Sequence, residues 1–377
     1  MTDLSFTVLA VRATALAFPL ERPLRSALGS IDVRPALVVE IDIDGAKGAW
    51  TGSGEVFSNF PPFSNRHKAR IVSDLIAPRL TGQTFADPAA MTASLQAATH
   101  KVALQSGEFG PFAHTVAGLD VAAWDALARR ADVPLWRLLT DAPDVPPVRA
   151  YASGLDGPDL NALVPPLAEA GWGAYKLKVG FDADTDARHL AALRGLAGDA
   201  TLMVDANQAY EMAEARDAVT RLADEGLAWI EEPIRADSPL SDWRELVAIG
   251  APLAAGENLR GAVEFAAAID TGIAVIQPDA IKWGGLSGVR DVARMALAAG
   301  RAWAPHYLAG GIGLAASAHL AAALQATYLE VDVNPNPLRE QLLGDAFRIE
   351  GGRVRLSERP GHGAVPNGEI MARYQVR

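Results

Sequence analysis

At 377 residues the chain is long enough for one large domain plus a smaller one. Half of it is hydrophobic and 21% is charged, and its formal net charge of −11 disfavours nucleic acid and anionic membrane as partners while leaving room for a small anion at a local positive site. The absence of cysteine excludes disulfides, thiolate metal sites and a cysteine nucleophile.

The first residues, MTDLSFTVLA, lack the basic segment, apolar core and small-residue cleavage site of a secretory leader. No apolar run reaches the roughly 18 residues a membrane helix needs, so a cytoplasmic protein without a membrane partner is expected. Residues 1–140 read as a small α+β unit. In ALVVEIDIDGAKGAW, apolar and polar residues alternate into Asp44-Gly45, a short-range hairpin signal. Helical patterns follow from about Asn65 to Leu80 and through TVAGLDVAAWDALARRA. DAPDVPPVRAY then supplies a Pro-rich break, with the boundary expected between Asp141 and Pro147.

From 147 to 345 short apolar runs alternate with Ala- and Leu-rich helical patterns. The runs are VRAY, AYKLK, LMVD, AWIE, PLAAGE, VIQPD, AWAPH and YLEVD. Eight strands alternating with helices imply a parallel sheet that closes into a barrel. The last segment, 346–377, carries the turn signals EGGRV and RPGHG and is expected to pack back on the first domain.

Within the barrel, GWGAYKLKVG places Lys176 and Lys178 one residue apart in a chain whose lysines number six, at 47, 68, 101, 176, 178 and 282. The i, i+2 spacing puts both on one face of a strand. An isolated Lys-x-Lys is usually a solvated face, but Leu177 and Val179 read as core. If the pair points into a site, burial and mutual repulsion lower each pKa, which makes a lysine a base near neutral pH.

Chemistry in such barrels sits at the C-terminal ends of the strands. Here those ends read Lys176 and Lys178, Asp205, Glu231, Glu257, Asp279, His306 and Glu330. Asp205, Glu231 and Glu257 recur every 26 residues, about one βα unit, so three carboxylates fall at equivalent heights. Close together they repel unless a cation lies between them, and all-oxygen ligation favours Mg²⁺. One such acid alone reads equally well as a cap or ion-pair partner; the constant phase favours a metal site. The adjacent Glu232 is expected to face away as a supporting partner.

Asp279 and His306 end the sixth and seventh strands, 27 residues apart. A carboxylate beside an imidazole fixes its tautomer and suits a general base. The remaining histidines read as structural. A lysine base, a histidine base opposite and a metal between suit removal of the proton next to a carboxylate, the metal holding the carboxylate oxygens and stabilising the enediolate.

With these residues in order, the chain resembles the enolase superfamily, in its mandelate racemase-like branch (the mandelate racemase/muconate lactonizing enzyme family). The resemblance rests on KLK at 176–178, VDANQ at 204–208, IEEP at 230–233, GEN at 256–258, PDAIKWGG at 278–285 and PHY at 305–307. It implies a (β/α)7β TIM-like barrel with an N-terminal α+β capping domain. It further implies Mg²⁺ on Asp205, Glu231 and Glu257. Lys178 matches the base on one face, and Lys176 the neighbour that lowers its pKa and touches the substrate carboxylate. His306 with Asp279 matches the base on the other face. Asn207 matches a substrate-orienting amide and Glu330 an acid near the substrate carboxylate. The muconate-cycloisomerase branch places a lysine five residues before Gly-Gly, where this chain has Asp279; Lys282, three residues later, reads as an ordinary loop contact.

The expected reaction is dehydration of a sugar acid to a 2-keto-3-deoxy acid. The alternative on the same bases is racemisation or epimerisation of an α-hydroxy acid or amino-acid derivative. The cap loops, Arg22–Ser30 and VFSNFPPFS at 56–64, are expected to select the substrate, and the second, rich in Phe and Pro, favours a less polar one. A glycosidase needs two carboxylates and no lysine pair, and a non-catalytic relative is expected to lose a base or a ligand. The resemblance also implies a homo-oligomer.

Overall fold

The computed structural model describes residues 3–376 apart from Ala27, Leu28, Lys47 and Pro62, and does not describe the side chains of residues 21, 22, 24–26, 29 and 30. Of the expected Arg22–Ser30 loop, the side chains other than Pro23 therefore lie outside the described residues. Strands β1 (Phe6–Ser26), β2 (Gly29–Ile43) and β3 (Trp50–Val56) form an antiparallel meander, and β4 (Thr84–Phe85) pairs with the start of β1. The Asp44-Gly45 signal sits at the β2–β3 connection, where Ile43 pairs with Trp50.

Helix α1 (Ser64–Arg70) runs through a wider turn at Ile71–Ile76 into α2 (Ala77–Leu80). Two long helices follow, α3 (Pro88–Ser106) and α4 (Phe109–Arg130), then the short α5 (Trp136–Leu139). Leu37, Val39, Ile41 and Ile43 of β2 pack on one side against Val116, Leu119 and Ala122 of α4. Glycine makes this approach possible: a Cβ at Gly54 would lie 2.0 Å from the carbonyl oxygen of Gly118.

The barrel strands are β5 (Val148–Leu155), β6 (Ala174–Lys178), β7 (Thr201–Asp205), β8 (Ile230–Glu231), β9 (Leu253–Ala255), β10 (Val275–Ile276), β11 (Ala302–Trp303) and β12 (Leu329–Asp332). Between them run α6 (Leu160–Glu169), α7 (Ala183–Ala197), α8 (Met212–Ala223), α9 (Leu240–Val247), α10 (Gly261–Thr271), α11 (Gly285–Ala298) and α12 (Gly311–Ala323). Neighbouring strands pair in parallel from β5 to β11, and β12 returns to pair with β5, the (β/α)7β arrangement. Register does the functional placement on one side. Lys178 stands beside Asp205, and Asp205 beside Glu231, on three adjacent strands.

After the barrel come α13 (Pro337–Leu343), the hairpin β13 (Phe347–Glu350) and β14 (Arg353–Leu356), and α14 (Gly368–Tyr374). This tail touches both parts. β14 pairs with β5, while Gln375 bridges to Leu16 and Tyr374 packs edge-on against Phe18. Leu16, Ala36 and Val38 on the second face of the cap sheet meet Ile312 and Ala315 of α12 and Leu338 and Leu342 of α13. The cap sheet is thus buried on both faces, once by its own helices and once by the barrel. No described helix is long and apolar enough to cross a membrane.

Candidate active site at the barrel mouth

Lys176 lies below the mouth, 1% exposed. Its Nζ is 2.7 Å from Glu231 Oε2, 2.8 Å from Glu330 Oε1 and 3.6 Å from Asp205 Oδ2. Burial opposes its charge, but these carboxylates, Glu231 first, raise its pKa well above the ordinary lysine value. Lys178 sits higher, with Nζ 2.6 Å from Asp205 Oδ2 and 2.7 Å from Asn207 Oδ1. The expected lowering of its pKa is absent. Burial pushes the ammonium down most, yet the charge and hydrogen bond of Asp205 together with Glu231 outweigh burial and Lys176, and the pKa is raised.

Glu231 is buried, and its Oε2 also accepts from Gln277 Nε2 at 2.8 Å and Trp229 Nε1 at 3.3 Å. Its Oε1 is buried with no hydrogen-bond partner among the described residues. Burial and then Asp205 push its pKa up to about 7. Glu257 lies just past β9, beyond Gly256, whose φ of +152° and position 2.6 Å (measured from an added Cβ) from the Gln277 backbone exclude a side chain there. Glu232 is buried and accepts from Asn258 Nδ2 at 2.8 Å, and burial and then Glu257 push its pKa well above the ordinary value. Asn207, Gln208 and Glu232 all take positive φ, at 45°, 64° and 37°. Such strain, on the order of 1 kcal/mol or more per residue, gathers at functional sites.

Among the described residues, no three His, Cys, Asp or Glu side chains stand together closely enough to hold a metal ion as placed. Ammonium groups lie on these carboxylates instead, Lys178 on Asp205, Lys176 on Glu231 and Lys282 on Glu257. The donor chemistry nevertheless fits a hard divalent cation. Asp205, Glu231 and Glu257 are oxygen donors, and the orphaned Glu231 Oε1 and raised Glu231 pKa mark a place where added positive charge is favoured.

His306 is 6% exposed. Its Nδ1 is 2.7 Å from Asp279 Oδ2, and Asp279 Oδ1 accepts from the Ile281 amide at 2.8 Å. With Nδ1 on that carboxylate, the other ring nitrogen, Nε2, lies 3.1 Å from Glu257 Oε2. Against burial, Glu257, Glu330 and Asp279 raise its pKa to about 9. Glu330 is held by the Ser153 hydroxyl at 2.5 Å and the Tyr307 amide at 3.0 Å.

A cavity of about 680 Å³ opens over these groups, bordered by Lys178, Asn207, Glu257, His306 and Glu330 but not Lys176. Ile31, Phe57, Phe60 and Leu308 give it an apolar wall, and Arg34, Ser153, Asp332 and Asn334 a polar one. A second cavity, about 610 Å³, opens beside Arg235 and Leu240 and is lined by neither Lys178 nor His306.

The structure also brings in residues that the sequence reading passed over. Lys282 is not an ordinary loop contact: its partly buried ammonium is 3.0 Å from both Glu257 Oε2 and Asn258 Oδ1 and 4.8 Å from the centre of the Phe57 ring. The scarcity of lysine, which singled out 176 and 178, was the signal for 282 as well. Arg34 reaches from the cap to Asp332 at 2.7 Å, a pairing 298 residues apart with no local signature.

A barrel with this cap, and with lysines, acids and an Asp-paired histidine at its mouth, defines an enzyme of the enolase superfamily. The chain belongs to the mandelate racemase/muconate lactonizing enzyme family: residues 9–140 match the model of that family's N-terminal domain and residues 160–370 the enolase C-terminal domain-like model. A crystal structure of a mandelate racemase/muconate lactonizing enzyme from Bordetella bronchiseptica RB50 is similar at 42% identity and a TM-score of 0.89, over 98% of this chain and 99% of that one. An enolase from Bradyrhizobium, complexed with magnesium and mandelic acid, is 32% identical with a TM-score of 0.84 over the whole of both chains. Among curated relatives, the arabinonate dehydratase of Saccharolobus solfataricus is 30% identical over 74% of this chain and 76% of its own. The D-galactarolactone cycloisomerase of Agrobacterium fabrum is 27% identical over 98% of this chain and 99% of its own.

Proposed function

We propose that the protein removes the proton α to a carboxylate, using Lys178 and His306 on two sides of one cavity, and that the reaction is dehydration of a sugar acid to a 2-keto-3-deoxy acid. The observation that carries this reading is the placement of both bases on that cavity, from strands three positions apart around the closed barrel. Drawn off Asp205, the carboxylate that does most to raise its pKa, Lys178 acts as the free amine, takes the α-proton and leaves an enediolate. His306, charged and oriented by Asp279, gives its Nε2 proton to the β-hydroxyl, which leaves as water. The resulting enol then becomes the 2-keto acid. Asn207 orients the substrate beside Lys178, and Glu330 keeps Lys176 charged beneath the acids. Asp205, Glu231 and Glu257 would hold Mg²⁺, which when bound supplies Lewis-acid polarisation of the carboxylate. The sugar-acid dehydratase among the relatives supports this reading.

Racemisation or epimerisation of a smaller, less polar acid is the second reading. The apolar wall of Ile31, Phe57, Phe60 and Leu308 favours it, as does the mandelic acid bound by the Bradyrhizobium relative. Proton NMR in D₂O with Mg²⁺, against sugar acids, α-hydroxy acids and amino-acid derivatives, separates the two. Loss of the α-proton with new methylene signals is expected for the dehydratase. Exchange on an unchanged skeleton would move the assignment to the second reading.

A further inference from the structure

Glu55, near the end of β3 in the cap, is fully buried, and its carboxylate meets two backbone amides and a tyrosine hydroxyl of the barrel. Oε1 accepts from the Gly310 amide at 2.5 Å; Oε2 accepts from the Gly313 amide at 3.0 Å and lies 3.1 Å from the Tyr307 hydroxyl. Gly310 and Gly313 form the first turn of α12, where unpaired amides and the helix dipole favour an anion. A helix of this length is ordinarily capped by its own N-cap side chain. Here that position is Gly310, and a Cβ on it would stand 2.6 Å from Glu55 Oε1. The capping carboxylate comes instead from the other domain.

The segment so gripped is the one that carries His306. The His306 amide donates to Pro278 O at 3.2 Å, the Tyr307 amide to Glu330 Oε2 at 3.0 Å, and the Tyr307 hydroxyl is 2.6 Å from Gly310 O. Burying a carboxylate costs several kcal/mol unless it is fully bonded, so an apolar residue would serve packing alone more cheaply. We propose that Glu55 is a positioning residue for His306: by clamping residues 307–313 from the cap, it aims Nε2 at the cavity. The inference rests on the two-base reading above.

The test uses (R)- and (S)-mandelate in D₂O with Mg²⁺. Lys178→Ala and His306→Ala first assign each enantiomer to its base. Glu55→Gln, which keeps the size but turns an NH₂ towards the backbone amides, should slow exchange on the His306 side more than on the Lys178 side, by on the order of 10- to 100-fold. Tyr307→Phe should show the same bias, smaller, and serves if Glu55→Gln fails to fold. Equal slowing of both enantiomers in the folded variants would mean a purely structural role and overturn the inference. A second readout does not need turnover: the downfield Nδ1 proton of His306, bonded to Asp279, should shift or disappear in the variants. An unchanged resonance in both would overturn the inference. If the wild type exchanges neither mandelate, the proposed chemistry towards that acid fails, and the imidazole proton alone decides the role of Glu55.

Discussion

The lysine side and the histidine side of the mouth are built differently. Lys178, Asp205 and Glu231 are ladder residues, set beside one another by the register of β6, β7 and β8. Glu257, Asp279 and His306 lie two or three residues beyond the ends of β9, β10 and β11. Their placement is borrowed from elsewhere: Lys282 against Glu257, Phe57 of the cap over Lys282, Glu330 on the Tyr307 amide, Glu55 on the following helix. A group on the ladder inherits its position from backbone pairing, whereas one on a loop needs long-range contacts to hold it. The lysine side should therefore tolerate damage to the cap better than the histidine side.

The strongest test of that contrast replaces Lys178 and His306, the proposed bases. Lys178→Ala and His306→Ala should each lower turnover by about 10²- to 10⁴-fold with unchanged circular dichroism; near-normal activity in either would refute the two-base site. Lys282→Met should cost about 10- to 100-fold in α-proton exchange through a loosened Glu257. Full activity in that variant would return Lys282 to the status of a loop contact. Gly54→Ala forces a methyl into the α4 backbone and should destabilise the protein by about 1–3 kcal/mol in thermal melts. If the contrast holds, exchange on the histidine side falls first as that variant is warmed.

Least direct on the chemistry is a pH dependence of stability at Lys68. This buried lysine donates to Phe57 O at 2.7 Å and Ser64 Oγ at 3.1 Å, holding the loop that brings Phe57 to Lys282. Burial, and next the nearby Lys282, lowers its pKa to about 7, against an ordinary value of 10.5. Below pH 7 it is charged in both the folded and unfolded states. Above that the unfolded chain holds the extra proton, so Lys68 adds stability as pH rises from about 7 towards 10.5, on the order of a few kcal/mol. Denaturant titrations should show this slope in the wild type and a flatter curve in Lys68→Met. An identical slope in both would assign the dependence to another group.

The same contrast explains what was legible in the sequence. The (β/α)7β alternation and the 26-residue interval of the acids follow from one repeating unit, so the barrel and the lysine side could be read directly. Asp279 and His306 kept that phase and were found with it. Helix α3 was not read, because most of its apolar residues are alanines, which give no clear stripe. Its ends were marked all the same, by Asp87, which accepts from the Ala90 amide at 2.7 Å, and by Gly107 at φ +72°. Glu55 and Arg34 lie 252 and 298 residues from their partners, Tyr307 and Asp332, distances over which no local pattern extends. The raised pKa of Lys178 was missed because Asp205 stands between the two lysines, a placement that the spacing of Lys176 and Lys178 alone does not reveal.

The most direct test of the two-base site is a crystal structure with Mg²⁺ and a bound α-hydroxy acid. The account predicts the ion at about 2.0–2.1 Å from oxygens of Asp205, Glu231 and Glu257. It also predicts Lys178 drawn off Asp205, and the α-carbon between Lys178 Nζ and His306 Nε2. An ion held elsewhere, or both bases on one side of the α-carbon, would contradict it.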